Sequence, residues 1–144
     1  MQRCFADTFY WIALLVRRDD WHERVTASNH TLQREDTLFT TDAVILEFLA
    51  AFSSAGSYLR QQAVARVEAM LSNPYIRVVE VTRAWLLEGL ALYKDRPDKE
   101  YSLTDCLSMQ VMRQEGLTEA LTNDPHFTQE GFHILFPSSP YPHL

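Results

Sequence analysis

The chain has 144 residues, 47% of them hydrophobic, which suits a single domain over 1–144 that buries roughly two-thirds of its unfolded surface. No apolar run reaches the ~20 residues of a membrane span, and the first residues lack the pattern of a signal peptide, so no membrane association and a cytoplasmic location are expected. Thirteen basic against 19 acidic residues give a formal net charge of −6, which disfavours nonspecific phosphate binding, and two cysteines, Cys4 and Cys106, are too few for a disulfide framework or a zinc site.

Short apolar strands alternate with longer amphipathic segments, the pattern of an α/β fold with a mostly parallel sheet. Arg3 to Ala6 reads as a first strand ending at Asp7. Helices are expected from Thr8 to about Arg17 and from Trp21 to about Gln33, divided by the polar run Arg17, Arg18, Asp19, Asp20. Thr37 to Thr40 forms a short strand, and Thr41 caps an apolar helix that runs to Phe52. Ser53 to Ser57 ends that helix as a loop.

Leu59, Ala63, Val67 and Met70 are spaced for a helix over Tyr58 to Leu71, stopped by Asn73 and Pro74. A β-branched strand over Ile76 to Val81 follows, then a helix from Arg83 to Tyr93 capped by Thr82, then a charged turn from Lys94 to Lys99. Ser102 opens a helix to about Gln114 that ends near Gly116, and short strands are expected at Glu119 to Leu121 and His133 to Phe136. The proline-rich end from Pro137 reads as coil. The two thiols are expected to be reduced and buried.

Asp7, Asp105 and Asp124 each stand at the start of a helix or turn, and Asp7 and Asp124 follow directly on expected strands. In open parallel sheets that edge is where ligands bind, and the helix N-termini there keep carboxylates ionised, as hard divalent cations require. Taken alone, each Asp is better explained as a helix cap, and Ser102 with Asp105 three residues later has the form of a capping box.

Glu47 is different, because Val44, Ile45, Leu46, Phe48, Leu49 and Phe52 make its helix apolar nearly all round. Ala43, Val44, Ala50 and Ala51 hold the positions three and four residues away, so no Lys or Arg on this helix can pair with it. A buried, unpaired carboxylate needs a metal or a cation from another segment. The alternative is a glutamate at the helix edge that reaches solvent or a distant arginine.

These residues resemble the PIN-domain family, especially the small bacterial VapC-type toxins and their lone relatives, over almost the whole chain. The likeness begins with Cys4, Phe5, Ala6, Asp7, Thr8, continues through Asp20 and His22, and reaches Thr40, Thr41, Asp42, Ala43, Val44 before Glu47. Asp98 to Cys106 is similar to the family's third motif, and Thr122 to Phe127 before Gly131 and Phe132 to its fourth. Some relatives carry a further acid two residues after the fourth, where this chain has His126.

The resemblance implies an α/β/α sandwich in which four or five parallel strands carry Asp7, Glu47, Asp105 and Asp124 into one acidic pocket. It implies a metal-dependent endoribonuclease with one or two Mg²⁺ (or Mn²⁺) ions, in which the carboxylates position metal rather than attack. Thr8, Thr41, Ser102 and Thr122 stand beside these acids as candidates for hydrogen bonds that hold them, or as caps only. Lys94, Arg96 and Lys99 are candidates for guiding the RNA backbone, against the plainer reading of a solvated turn.

A satisfied surface or core histidine is the better reading of His22, and Tyr10, Trp11, Trp85 and Tyr93 are assigned to packing. If the likeness extends to genetics, a small antitoxin binds near the active site and the chain forms a homodimer through its early helices. The competing reading is a catalytically silent PIN-fold module that binds RNA or protein, against which stands the presence of all four acids. Phosphohydrolases of the haloacid dehalogenase type need an Asp where this chain has Phe9. Response-regulator receivers need an acidic pair at the first strand end and a lysine after the last strand, both lacking here.

Overall fold

Cys4, Phe5 and Ala6 are all buried, as befits a strand in the middle of a sheet covered on both faces. This strand, β1 (Arg3–Ala6), pairs with β2 (Thr37–Thr41) on one side and β4 (Glu119–Leu121) on the other. β3 (Ile76–Val79) pairs with β2, and β5 (His133–Ile134) with β4. The order is β3-β2-β1-β4-β5 with every pairing parallel, in a computed structural model that describes residues 2–32 and 35–137.

Parallel neighbours require crossovers, and among the described residues seven helices supply them: α1 (Thr8–Leu15), α2 (His22–His30), α3 (Asp42–Ala51), α4 (Ser57–Ser72), α5 (Arg83–Asp95), α6 (Leu103–Glu115) and α7 (His126–Gln129). Right-handed crossovers toward β3 assign α1 to α4 to one face, and the return toward β5 assigns α5 to α7 to the other. The packing agrees, since α1 contacts α2, α3 and α4 while α5 contacts α6. The result is the expected three-layer sandwich. Its core gathers Phe5, Tyr10, Trp11, Phe39, Phe48 and Met109, and both cysteines are buried free thiols.

The start signals act through side-chain oxygens. Thr41 Oγ1 accepts from the Val44 amide at 3.2 Å, and Thr82 Oγ1 from the Trp85 amide at 3.3 Å. Gly116, at φ 69°, ends α6 in the left-handed conformation that a side chain disfavours.

Several boundaries differ from expectation. α1 stops at Leu15, before exposed Arg17 and Arg18, and α2 begins at His22 and ends at His30, short of the expected end near Gln33, a residue outside the described ones. α5 continues through Asp95, so Lys94 is helical and the turn begins at Arg96. β3 and β5 end early, at Val79 and Ile134, and α7 has only four residues, too short to register as a periodic pattern. Tyr93, assigned to packing, is 51% exposed, because it lies on the outer side of α5. The expected coil beyond Pro137 lies outside the described residues. Among the described residues no helix is long and apolar enough to cross a membrane.

Candidate metal centre

β1 is the strand from which the chain departs in one direction toward β2 and beside which it later returns as β4, so its carboxyl end is the topological switch point of the sheet. Asp7 stands there, 6% exposed. It occupies the N-cap position of α1, yet its side chain makes no capping hydrogen bond. Instead Asp7 Oδ2 accepts from Thr122 Oγ1 at 3.0 Å. Burial, aided by the negative fields of Asp105 and Glu47, pushes the Asp7 carboxyl up to about 7 against the opposing Thr8 amide and Thr122 hydroxyl.

Asp105 lies in the first turn of α6 and completes a capping box: its Oδ2 accepts from the Ser102 amide at 2.9 Å, and Ser102 Oγ accepts from the Asp105 amide at 3.0 Å. The structural role is therefore real, but it engages one carboxylate oxygen and leaves the other for a ligand. Burial, and then the charges of Asp124 and Glu47, raise the Asp105 carboxyl above its usual range although Ser102 opposes the shift.

Asp124 follows β4. Its amide donates to Thr122 Oγ1 at 3.1 Å, and its Oδ1 accepts from the His126 amide at 2.9 Å. Thr122 thus binds Asp7 and the Asp124 loop with one hydroxyl. Ligand atoms of Asp105, Asp124 and His126 all lie within 4.8 Å of one another. Asp7 and Glu47 adjoin this group, since the charges of Asp105 and Glu47 act on Asp7 and that of Glu47 acts on Asp105, but they are not part of the cluster within that distance.

The expectation that Glu47 is buried is corrected. Glu47 is exposed, as are Leu46 at 70% and Ala50, so α3 is covered on one side only and Glu47 borders the acids from the solvent side. No buried charge has to be offset at this position.

Among the expected supporting hydroxyls, Thr122 and Ser102 hold acids. Thr41 caps α3, and Thr8 Oγ1 is buried with no hydrogen-bond partner among the described residues, its backbone amide being the group that meets Asp7. Lys94 and Lys99 are exposed. Arg96 is otherwise engaged: Nε and Nη2 meet Glu130 at 3.0 and 3.2 Å, which removes it as a freely available RNA contact. Glu130, its side chain 5% exposed, also accepts from Arg113 Nη2 at 2.7 Å and from the Tyr101 hydroxyl at 2.8 Å. Burial alone would push Glu130 up, but these hydrogen bonds outweigh it and bring the carboxyl down to about 2.

His22 is satisfied, with Nδ1 2.7 Å from the Ala13 carbonyl oxygen. A cleft of about 860 Å³ between α1, α2 and α4, lined in part by Leu14, Arg17, Tyr58 and Arg66, contains none of the four acids.

The arrangement fits a divalent cation. Among the described residues none of the four acids pairs with a lysine or arginine within 4.0 Å, and two of them have raised pKa values because burial first, and then neighbouring negative charge, disfavours their ionised forms. A bound cation reverses that penalty and favours the ionised forms. His126 was not among the expected site residues; its spacing two residues after Asp124 was the available signal. Tyr101 and Glu130 gave none, because their partners are far along the chain.

Residues 4–132 match the PIN domain family. The chain is 31% identical over 133 residues to the 23S rRNA-specific endonuclease VapC20 of Mycobacterium tuberculosis, covering 89% of this chain and 94% of that protein. The crystal structure of M. tuberculosis VapC20, described as a sarcin-ricin loop cleaving toxin, aligns with a TM-score of 0.78 and 23% identity over 90% of this chain and 95% of that one. VapBC2 from Rickettsia felis, solved bound to a DNA fragment from its promoter, aligns with a TM-score of 0.67 and 13% identity, covering 92% and 97%. With its family match extending over most of its length and its acids at the carboxyl edge of a five-stranded parallel sheet, the chain belongs to the PIN domain family.

Proposed function

We propose that this chain is a metal-dependent endoribonuclease, the toxin of a toxin-antitoxin pair, with Asp7, Glu47, Asp105 and Asp124 serving a catalytic divalent cation. The observation that carries the reading is the gathering of acids from separate segments with, among the described residues, no lysine or arginine within 4.0 Å to neutralise them. The cation, Mg²⁺ or Mn²⁺, supplies Lewis acidity toward water and the scissile phosphate. The protein's own residues fix the site: Thr122 orients Asp7, Ser102 orients Asp105, and the His126 amide orients Asp124. Asp7 and Asp105 would be the most direct ligands, with Glu47 and Asp124 binding a second ion, orienting the water or acting through water.

The substrate is RNA, and the VapC20 relative makes ribosomal RNA the class to test first. The partner is a small antitoxin, in keeping with a solved structure of like fold described as a toxin-antitoxin complex from Klebsiella pneumoniae. Lys94 and Lys99 remain the basic side chains of the turn region free to meet the RNA backbone. The test is cleavage of intact ribosomes and isolated 23S RNA by purified protein with Mg²⁺ or Mn²⁺, comparing wild type with Asp7→Ala and Asp105→Ala. Cutting by the wild type alone is expected. Cutting that both variants retain in full refutes the reading, and RNA binding without any cutting favours a silent binding module.

A further inference from the structure

His126 opens α7 immediately after the Asp124 turn, and its amide closes that turn on Asp124 Oδ1. The same turn brings His126 Nδ1 to 3.1 Å from this oxygen, without the alignment of a hydrogen bond. Nδ1 is buried and has no hydrogen-bond partner among the described residues. Around an octahedral cation with bonds of about 2.1 Å, neighbouring ligand atoms stand about 3 Å apart, which is the separation seen here.

The ring is also held in place. Tyr101 packs against it edge-on, with centroids 5.4 Å apart at 67°, and the Tyr101 hydroxyl donates to Glu130, which Arg96 and Arg113 fix in turn.

We propose that His126 is a direct nitrogen ligand of the cation held by Asp105 and Asp124, and that it makes the site select a first-row transition dication such as Mn²⁺ over Mg²⁺. This rests on the reading of the acids as a divalent-cation site. Mg²⁺ demands oxygen ligands and dehydrates reluctantly, whereas transition dications accept imidazole.

The test uses the purified full chain. Electron paramagnetic resonance of free Mn²⁺ gives its affinity, Mg²⁺ serves as competitor, and electron spin echo modulation of the Mn²⁺-loaded protein reads directly bound nitrogen. Wild type should show nitrogen coupling, and His126→Ala should lose both the coupling and about tenfold or more of Mn²⁺ affinity, since removing even a supporting partner of a ligand costs that much. His126→Asp restores an oxygen ligand and should bind both ions with the preference for Mn²⁺ reduced; it serves in place of the alanine variant if that one does not fold. Absence of nitrogen coupling in wild type, or its persistence in folded His126 variants, overturns the proposal while the site stands, provided Asp105→Ala abolishes Mn²⁺ binding. Mn²⁺ binding undiminished in Asp105→Ala overturns the underlying metal-site reading itself.

Discussion

Thr122 Oγ1 donates to Asp7 Oδ2 at 3.0 Å across 115 residues of sequence, and the same oxygen accepts from the Asp124 amide. One buried hydroxyl therefore aligns two segments whose acids must act together. Thr122→Val keeps the shape and removes both hydrogen bonds. It should cost about 1–3 kcal/mol of stability, read by urea unfolding, and lower RNA cleavage about 10–100-fold. Thr122→Ser should recover most of both. Full activity in the valine variant would show that the hydroxyl does not position the acids.

The raised Asp7 carboxyl makes stability depend on pH in a defined direction. Its pKa is about 7 in the fold against 3.8 for the free group, so between these values the folded state holds the extra proton. In metal-free protein, stability therefore falls as pH rises from about 4 to about 7 and levels off above. Asp7→Asn removes this loss, and its Tm at pH 8 in chelator should exceed that of wild type, the difference shrinking toward pH 4. Saturating Mn²⁺ should raise the wild-type Tm more than that of the variant. A gap that does not vary with pH would contradict the assignment.

Glu130 titrates in the opposite sense. Its folded pKa of about 2 lies below the free value of 4.5, so its contribution is complete above about 4.5 and disappears as pH falls toward 2. Glu130→Gln should lose about 1–3 kcal/mol at pH 7, with two arginines left unpaired, and little at pH 2.5. Thermal unfolding across that range checks the prediction; an equal loss at both ends would exclude an ionic role.

The tight contact of α5 with α6 depends on Gly89. A Cβ there would lie 2.7 Å from Leu107 Cδ2 and 2.9 Å from Leu107 Cγ. Gly89→Val should destabilise by about 1–3 kcal/mol through overpacking. Adding Leu107→Ala should return part of that loss, a non-additivity that urea unfolding of the four proteins would reveal.

Asp7, Asp105 and Asp124 were legible because each follows a strand or a helix-start signal, and strand ends and caps are written in neighbouring residues. The sequence marks Glu47 as helical but not as exposed: an apolar count cannot tell which side of a helix is covered, and exposed Leu46 shows that one side of α3 is not. His126 was visible as a departure from the family pattern, whereas its approach to Asp105 depends on how α6 meets the β4 loop. The engagement of Arg96 by Glu130 spans 34 residues, and no local pattern predicts it.

Crystals soaked in Mn²⁺ and measured for anomalous scattering ask most directly whether these carboxylates share an ion. A peak about 2 Å from oxygens of Asp7 and Asp105, with Asp124 ligating the same ion or a neighbouring one, is the predicted result. Fully exchanged crystals with no peak at these side chains, grown from protein that still cleaves RNA, would contradict it.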